Sequence, residues 1–180
     1  MNDGLSREKI GAAALALIDK AGLEKLSARN LAQELGCGAM SLYHHVENMD
    51  DVLDLVAERL LARLSFKEAA SLRGALLRVS RDYIGLAEAH PNAFPLLAAR
   101  RLRGPKVQAL AGGLAGLFNV LGVGPREGMR RIRVLAAYLN GAGLALAMWR
   151  REGSTAAREG AIVRADLEAG LKTLLTALCS

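Results

Sequence analysis

Apolar residues recur along this chain at intervals of three and four. Ile10, Ala13, Ala14, Leu17, Ile18 and Ala21 form one such stripe with charged groups between them, which predicts an amphipathic helix over residues 6–21. Ser6 is placed to cap it and Gly22 to end it, while Leu23 and Leu26 close its underside. Ser27 is a second N-cap residue, and Leu31, Ala32 and Leu35 follow it at helical spacing. Gly36 makes the corner, since a residue that closes a helix in the left-handed region is best a glycine. The next helix begins near Gly38 or Ala39 and turns Leu42 and Val46 inward. Asn48 then caps a helix over about 49–65, with Asp50 and Asp51 where the dipole favours acids and Val52, Leu55, Val56, Arg59, Leu60 and Leu64 on its packed side. Residues 72–89 carry Leu76, Leu77, Val79, Ser80, Tyr83, Ile84 and Leu86, and His90-Pro91 breaks that run. A short helix within 92–101 and another over 106–121 come next. The turn at 122–125 then leads into a long segment, 126–151, that is apolar nearly all round from Leu135 to Trp149. A last helix over about 159–178 carries Ile162, Val163, Ala165, Leu167, Leu171, Leu174, Leu175 and Leu178. No strand pattern or repeat interrupts the series, so the chain reads as all-α, a three-helix head followed by a helical bundle.

The head has the spacing of a helix-turn-helix unit. Ala32 leaves room for a close crossing, Gly36 turns the chain, and Leu42 anchors the second helix six residues later. Such a unit lays its second helix in the major groove of DNA while the first crosses the backbone. Ser41, Tyr43, His44 and His45 point away from the core, as short polar and aromatic groups suited to base edges and phosphates. With Ser27, Ala28 and Arg29 on the first helix and Ala39 and Met40 on the second, they make up the candidate DNA-contacting set. Leu-Ala-Gln-Glu-Leu-Gly at 31–36, Ser-Leu-Tyr-His-His-Val-Glu-Asn at 41–48 and Asp-Val-Leu-Asp-Leu-Val from Asp51 together resemble the TetR family of bacterial one-component repressors, most densely over residues 7–64. The resemblance implies a DNA-binding domain over 1–48 and an effector-binding and dimerisation domain over 49–180, with 49–65 as connector. It also implies double-stranded operator DNA and a small-molecule effector as partners. Met49 departs from the family, which usually has a lysine there, so one phosphate contact is expected to be missing.

Composition narrows the picture. Of 180 residues 52% are apolar, enough for a substantial core, and Ala and Leu dominate while aromatics stand at 4%, which favours helices. Apolar stretches are cut by Gly, Asn or Arg before the ~20 residues that a membrane span needs. The amino terminus runs directly into a charged helix, so neither a span nor a signal peptide is expected and the cytoplasm is the expected location. Cys37 and Cys179 then read as free thiols. The net charge of +6 does not mark the head: residues 1–48 hold five basic and six acidic groups, a balance of −1. The excess lies in Arg100, Arg101, Arg103 and Lys106 and in Arg126, Arg130, Arg131 and Arg133. DNA binding is therefore argued from the motif's geometry, not from bulk charge.

The helices at 126–151 and 159–178 carry more apolar surface than one copy hides, so a homodimer through both is expected, as in the four-helix bundle of the family they resemble. A two-fold dimer asks for a palindromic operator. A pocket is expected between the helices near 60–120 and 130–150, with Leu60, Leu64, Tyr83, Phe94, Leu97, Arg100, Leu114, Phe118, Tyr138 and Trp149 as candidate lining. The namesake repressors hold magnesium-chelated tetracycline through histidines. Arg100 falls loosely where one of these would be, and an arginine is no metal ligand, so the resemblance does not extend to that drug. His44 and His45 are adjacent and diverge by ~100° on a helix, so they cannot share a metal. His90 has no distinctive acid near it in sequence, and no catalytic constellation, metal site or cofactor is expected. The alternative reading is a helical interaction protein, which the slightly acidic head keeps open, or a small-ligand carrier, in either case without DNA binding.

Overall fold

The computed structural model describes residues 4–64, 71–99, 104–152 and 157–180, without the side chains of Lys106, Glu152 and residues 157–159. Every regular element among them is helical: α1 (Arg7–Ala21), α2 (Ala28–Glu34), α3 (Ala39–Leu42), α4 (Met49–Leu61), α5 (Leu72–Ala89), α6 (Phe94–Ala99), α7 (Pro105–Gly116), α8 (Pro125–Glu152) and α9 (Ala157–Leu178). Short 3₁₀ turns at Leu23–Lys25 and Leu117–Leu121 complete the path. The starts obey local chemistry. Ser6, Ser27, Asn48 and Ser71 each accept a hydrogen bond from the backbone N–H three residues on, at 3.3, 3.2, 3.0 and 3.1 Å. A cap of this kind stabilises its helix by about 1 kcal/mol. Pro105 and Pro125 open α7 and α8, where a missing N–H costs nothing.

Two cores form. The first joins Ile10, Ala14 and Ile18 of α1 to Leu31, Leu42 and Val46 and to Val52, Val56 and Leu60 of α4, and it continues without a break into Phe94 and Leu97 of α6. Packing therefore runs straight across residue 48, where the sequence places a division of labour. The second core gathers Leu76 and Val79 of α5, Leu114 and Phe118, Ile132, Leu135 and Leu139 of α8, and Leu171 and Leu175 of α9. Fully burying a side chain such as Phe94 or Phe118 contributes about 1.5–3 kcal/mol. α8 touches α5, α6, α7 and α9, so it is the spine of the body. Across its surface Arg81 pairs with Glu168 at 2.5 Å, Arg164 pairs with Glu88, and Arg73 donates to Thr176 Oγ1 at 2.8 Å, which fixes the register of α9 on α5.

Several expectations change in detail. The buried face of α1 is Ile10, Gly11, Ala14, Leu15 and Ile18, rotated toward Leu15 because α4 lies against Gly11, and Leu17 is only half-buried. Arg59, expected on the packed side of α4, is exposed in its last turn, where a cation suits the carbonyl end. Leu171, Leu175 and Leu178, read as part of a dimer stripe, are buried within the single chain. The expectation that no apolar stretch is long enough for a membrane needs correcting too. Pro125–Arg151 is long and apolar enough by length and composition, because Gly141, Gly143 and Asn140 do not interrupt the helix. Its Ile132, Leu135, Leu139, Leu146 and Ala147 lie in the protein's own cores.

α6 meets α8 closely at Gly143, where a Cβ would overlap the ring of Phe94. That ring is fully buried and has no room to swing aside. Helix propensity alone would favour alanine at Gly143 by ~1 kcal/mol. Gly143→Ala is nonetheless expected to destabilise the chain by about 1–3 kcal/mol through overpacking, read as a lower Tm in thermal unfolding.

Candidate DNA-reading face and body cavity

The corner between α2 and α3 is closed by backbone bonds that need a left-handed residue. Gly36 sits at φ +64°, its N–H donates to Gln33 O at 3.2 Å, and Cys37 N–H reaches Ala32 O at 3.0 Å. This pairing satisfies the last carbonyls of α2 and sends the chain off at an angle. α3 is only four residues long, but the turn continues as His45 N–H and Val46 N–H both donate to Leu42 O, at 2.9 and 3.0 Å. Leu42 and Val46 are buried. The opposite side is open: Met40 is 75% exposed and Tyr43 43%, with Ala39 and His44 also exposed and Ser41 and His45 half-buried. On α2, Arg29 is exposed, Ala28 leans on the core, and Ser27 spends its hydroxyl on the cap to Asn30. The expected set thus divides into an exposed row, Arg29, Ala39, Met40, Tyr43 and His44, and supporting positions at Ser27, Ala28, Ser41 and His45.

A clamp that sequence reading missed holds this row in place. Arg7 donates to both carboxylate oxygens of Asp51, at 2.7 and 2.5 Å, and to the carbonyl of His45 at 2.8 Å. Asp51 also accepts from Glu47 N–H at 3.1 Å. The start of α1, the exit of α3 and the start of α4 are therefore tied at one point. Arg7 is thereby engaged within the protein itself. At the other end of α1, His90 Nδ1 lies 2.7 Å from Asp19 Oδ2, and Asn92 donates to the Asp19 carbonyl at 3.0 Å. The acid that the sequence does not place beside His90 comes from 71 residues away and links head to body.

In the body a cavity of about 440 Å³ opens between the end of α4 and helices α5, α7 and α8, within the size range of small-molecule sites. Leu61, Leu64, Val79, Leu97, Leu110, Leu114, Ile132 and Leu139 supply apolar wall, and among the described residues Tyr83, Arg133 and Asn140 are its polar side chains. Tyr83 donates its hydroxyl to Asn140 Oδ1 at 2.7 Å, and its ring meets Phe94 edge-on at 5.4 Å. Burial pushes the Tyr83 hydroxyl far above its ordinary pKa, so it stays protonated.

No family model matches the chain. It is similar to an HTH-type transcriptional regulator of Saccharopolyspora erythraea, 30% identical over 156 residues that cover 86% of this chain and 66% of that protein. It is 44% identical over 59 residues to the tetracycline repressor protein class D of Escherichia coli, 33% of this chain and 27% of that one. Its fold matches the TetR family protein ActR of Streptomyces coelicolor, solved in complex with actinorhodin, with a TM-score of 0.83 over 98% of this chain and 96% of that one at 22% identity. The chain belongs to the TetR family. It spans less than two thirds of the length of the two relatives matched by sequence.

For this TetR-family chain the cavity lining departs from the sequence expectation in a systematic way. Leu64, Tyr83, Leu97 and Leu114 do line it. Leu60, Phe94 and Phe118 are instead solid core, at 0–1% exposure. Tyr138 sits between α8 and α9 and donates to Leu167 O at 2.5 Å, and Trp149 lies near Gly160 of α9. Arg100 falls outside the described residues. Arg133 and Asn140 were missed, although two polar residues seven apart on an apolar helix were a signal for them. Met49 is half-buried against the core of the head, so the position where the TetR family usually has lysine faces inward here. Among the described residues no three His, Cys, Asp or Glu side chains gather as a metal site would require.

The clamp sets a pH dependence. Hydrogen bonding to Arg7 holds the Asp51 carboxyl below the usual carboxylate range. Its contribution is therefore full above the ordinary value of ~3.9 and is lost as pH falls through the lowered one. Arg7 is half-exposed, so screening keeps the effect small. Asp51→Asn is expected to cost up to about 1 kcal/mol at neutral pH. In urea unfolding the gap from the parent protein should narrow as pH drops below the carboxylate range.

Proposed function

We propose that the chain is a transcriptional repressor that binds a palindromic operator as a homodimer and lets go when a small molecule fills the body cavity. The observation that carries this reading is the pairing of buried Leu42 and Val46 with exposed Met40, Tyr43 and His44 on the helix beyond the Gly36 corner. That pairing leaves one side of α3 for the protein and the other for a groove. Residues 1–48 then read DNA, 49–65 connect, and the remainder binds ligand and partner copy. The relatives support the division of roles: the class D protein is named a tetracycline repressor, and ActR was solved with actinorhodin. The described lining, an apolar wall with Tyr83, Arg133 and Asn140 as its polar side chains, supports a role in holding a small molecule.

Homodimerisation rests on the face of α8 and α9 that the chain leaves uncovered. Val134, Ala137, Gly141, Leu144 and Met148 are all exposed and recur at three and four on α8. Ile162, Ala165, Ala169 and Thr173 do the same on α9. This pattern is the seam of a helix bundle, with small residues at its middle for close approach. Because Leu171 lies inside the subunit, the stripe that matters is the one beside it.

Two measurements test this reading. On a duplex selected from a random pool, Tyr43→Ala is expected to weaken binding by about 1–3 kcal/mol in fluorescence anisotropy with helical content unchanged, and equal affinity would sink the DNA assignment. Leu144→Glu is expected to give a folded monomer by light scattering, with weaker operator binding. A dimer that survives the substitution would move the interface elsewhere.

A further inference from the structure

The charge chemistry of the cavity narrows what it takes. Its described lining contains no acidic side chain. Toward a ligand its donors are Arg133 and the Asn140 amide, while Tyr83 spends its one proton on Asn140. Asn140 accepts from Tyr83 through Oδ1, which leaves its amide N–H groups without a partner among the described residues. Arg133 is set apart from its neighbours on α8. Arg130 and Arg131 both pair with Glu127, and Arg131 also donates to Leu178 O and lies over the Phe118 ring. Arg133, on another side of the helix at the cavity's edge, has no ion pair or hydrogen bond among the described residues. Seven residues separate Arg133 from Asn140, two helical turns or about 10 Å along the axis. The walls between them are leucine, isoleucine and alanine.

We propose that this cavity binds a lipophilic acid: an apolar body with an anionic group held by Arg133 at one end and a carbonyl or hydroxyl oxygen held by Asn140 about two helical turns away. A guanidinium offers a paired fork to a carboxylate or sulfonate, and an anion at the rim keeps part of its hydration while its apolar body is buried. A lipophilic cation of the same shape would meet a positive charge at the mouth and, among the described lining residues, no carboxylate to offset the water it lost. Neutral apolar molecules would fill the walls but leave Arg133 and the Asn140 amide unused. The inference rests on the reading of this cavity as the ligand site proposed above.

The test is isothermal titration of the full chain with 6-hydroxy-2-naphthoate, its methyl ester, the corresponding aminomethyl naphthol and unsubstituted 2-naphthoate. The hydroxy acid is expected to bind at least tenfold more tightly than the ester and the amine. Arg133→Met should remove about tenfold from the acids and leave the ester unchanged. Asn140→Leu should weaken the hydroxy acid while sparing 2-naphthoate. Circular dichroism checks that both variants keep their helices. Equal or tighter binding of the amine, an acid affinity indifferent to Arg133, or no binding of any probe at millimolar concentration would overturn the assignment. Release of the selected duplex is measured separately. An acid that binds through Arg133 yet leaves DNA bound supports the ligand class and defeats the release reading instead.

Discussion

A helix of four residues has no stability of its own, because nucleation fixes several dihedrals for a single hydrogen bond. The orientation of α3 is therefore imposed from outside, by the burial of Leu42 and Val46 beneath it and by the Arg7–Asp51 clamp that seizes the carbonyl of His45 at its exit. Everything that α3 presents outward depends on those supports. Side chains on a self-sufficient helix would tolerate loss of one contact. Here the exposed row of Met40, Tyr43 and His44 has a defined direction only while α1 and α4 hold it.

The same arrangement explains why head and body form a continuous solid. α4 gives one side to the head and the other to α6, and Phe94 of α6 presses into the gap that Gly143 leaves on α8. Asp19, His90 and Asn92 make a second seam, from the far end of α1 to the corner before α6. From the cavity, Tyr83 touches Phe94, so the polar wall of the body and the core beneath the head share one aromatic contact. Packed interiors of this kind shift between discrete arrangements and do not deform smoothly.

Much of this was legible in the chain. Ser6, Ser27 and Asn48 mark helix starts because a side-chain oxygen next to an apolar-periodic run has one favourable use, and Gly36 marks the corner because few other residues accept its backbone angle. The exposed row on α3 followed from the spacing of Leu42 and Val46. The cavity was only half legible. Periodicity tells which side of a helix turns inward, but a void exists where inward side chains fail to meet, and that depends on crossing angles set by positions such as Gly143. Leu60, Phe94 and Phe118 look like lining for the same reason that they make good core. Arg7 and Asp51 stand 44 residues apart, and no local pattern announces their meeting.

The engagement of Arg7 has an effect on how a duplex would be held. With that guanidinium neutralised by Asp51 and the head at −1 overall, few cations remain to displace the ions condensed on a phosphate backbone. Complexes built from many such exchanges dissolve as ionic strength climbs, since each displaced ion adds to the steepness of the salt dependence. A head this sparing with positive charge would have a shallow dependence and little hold on arbitrary sequence, so its grip would come from shape and from the groups set against the base edges.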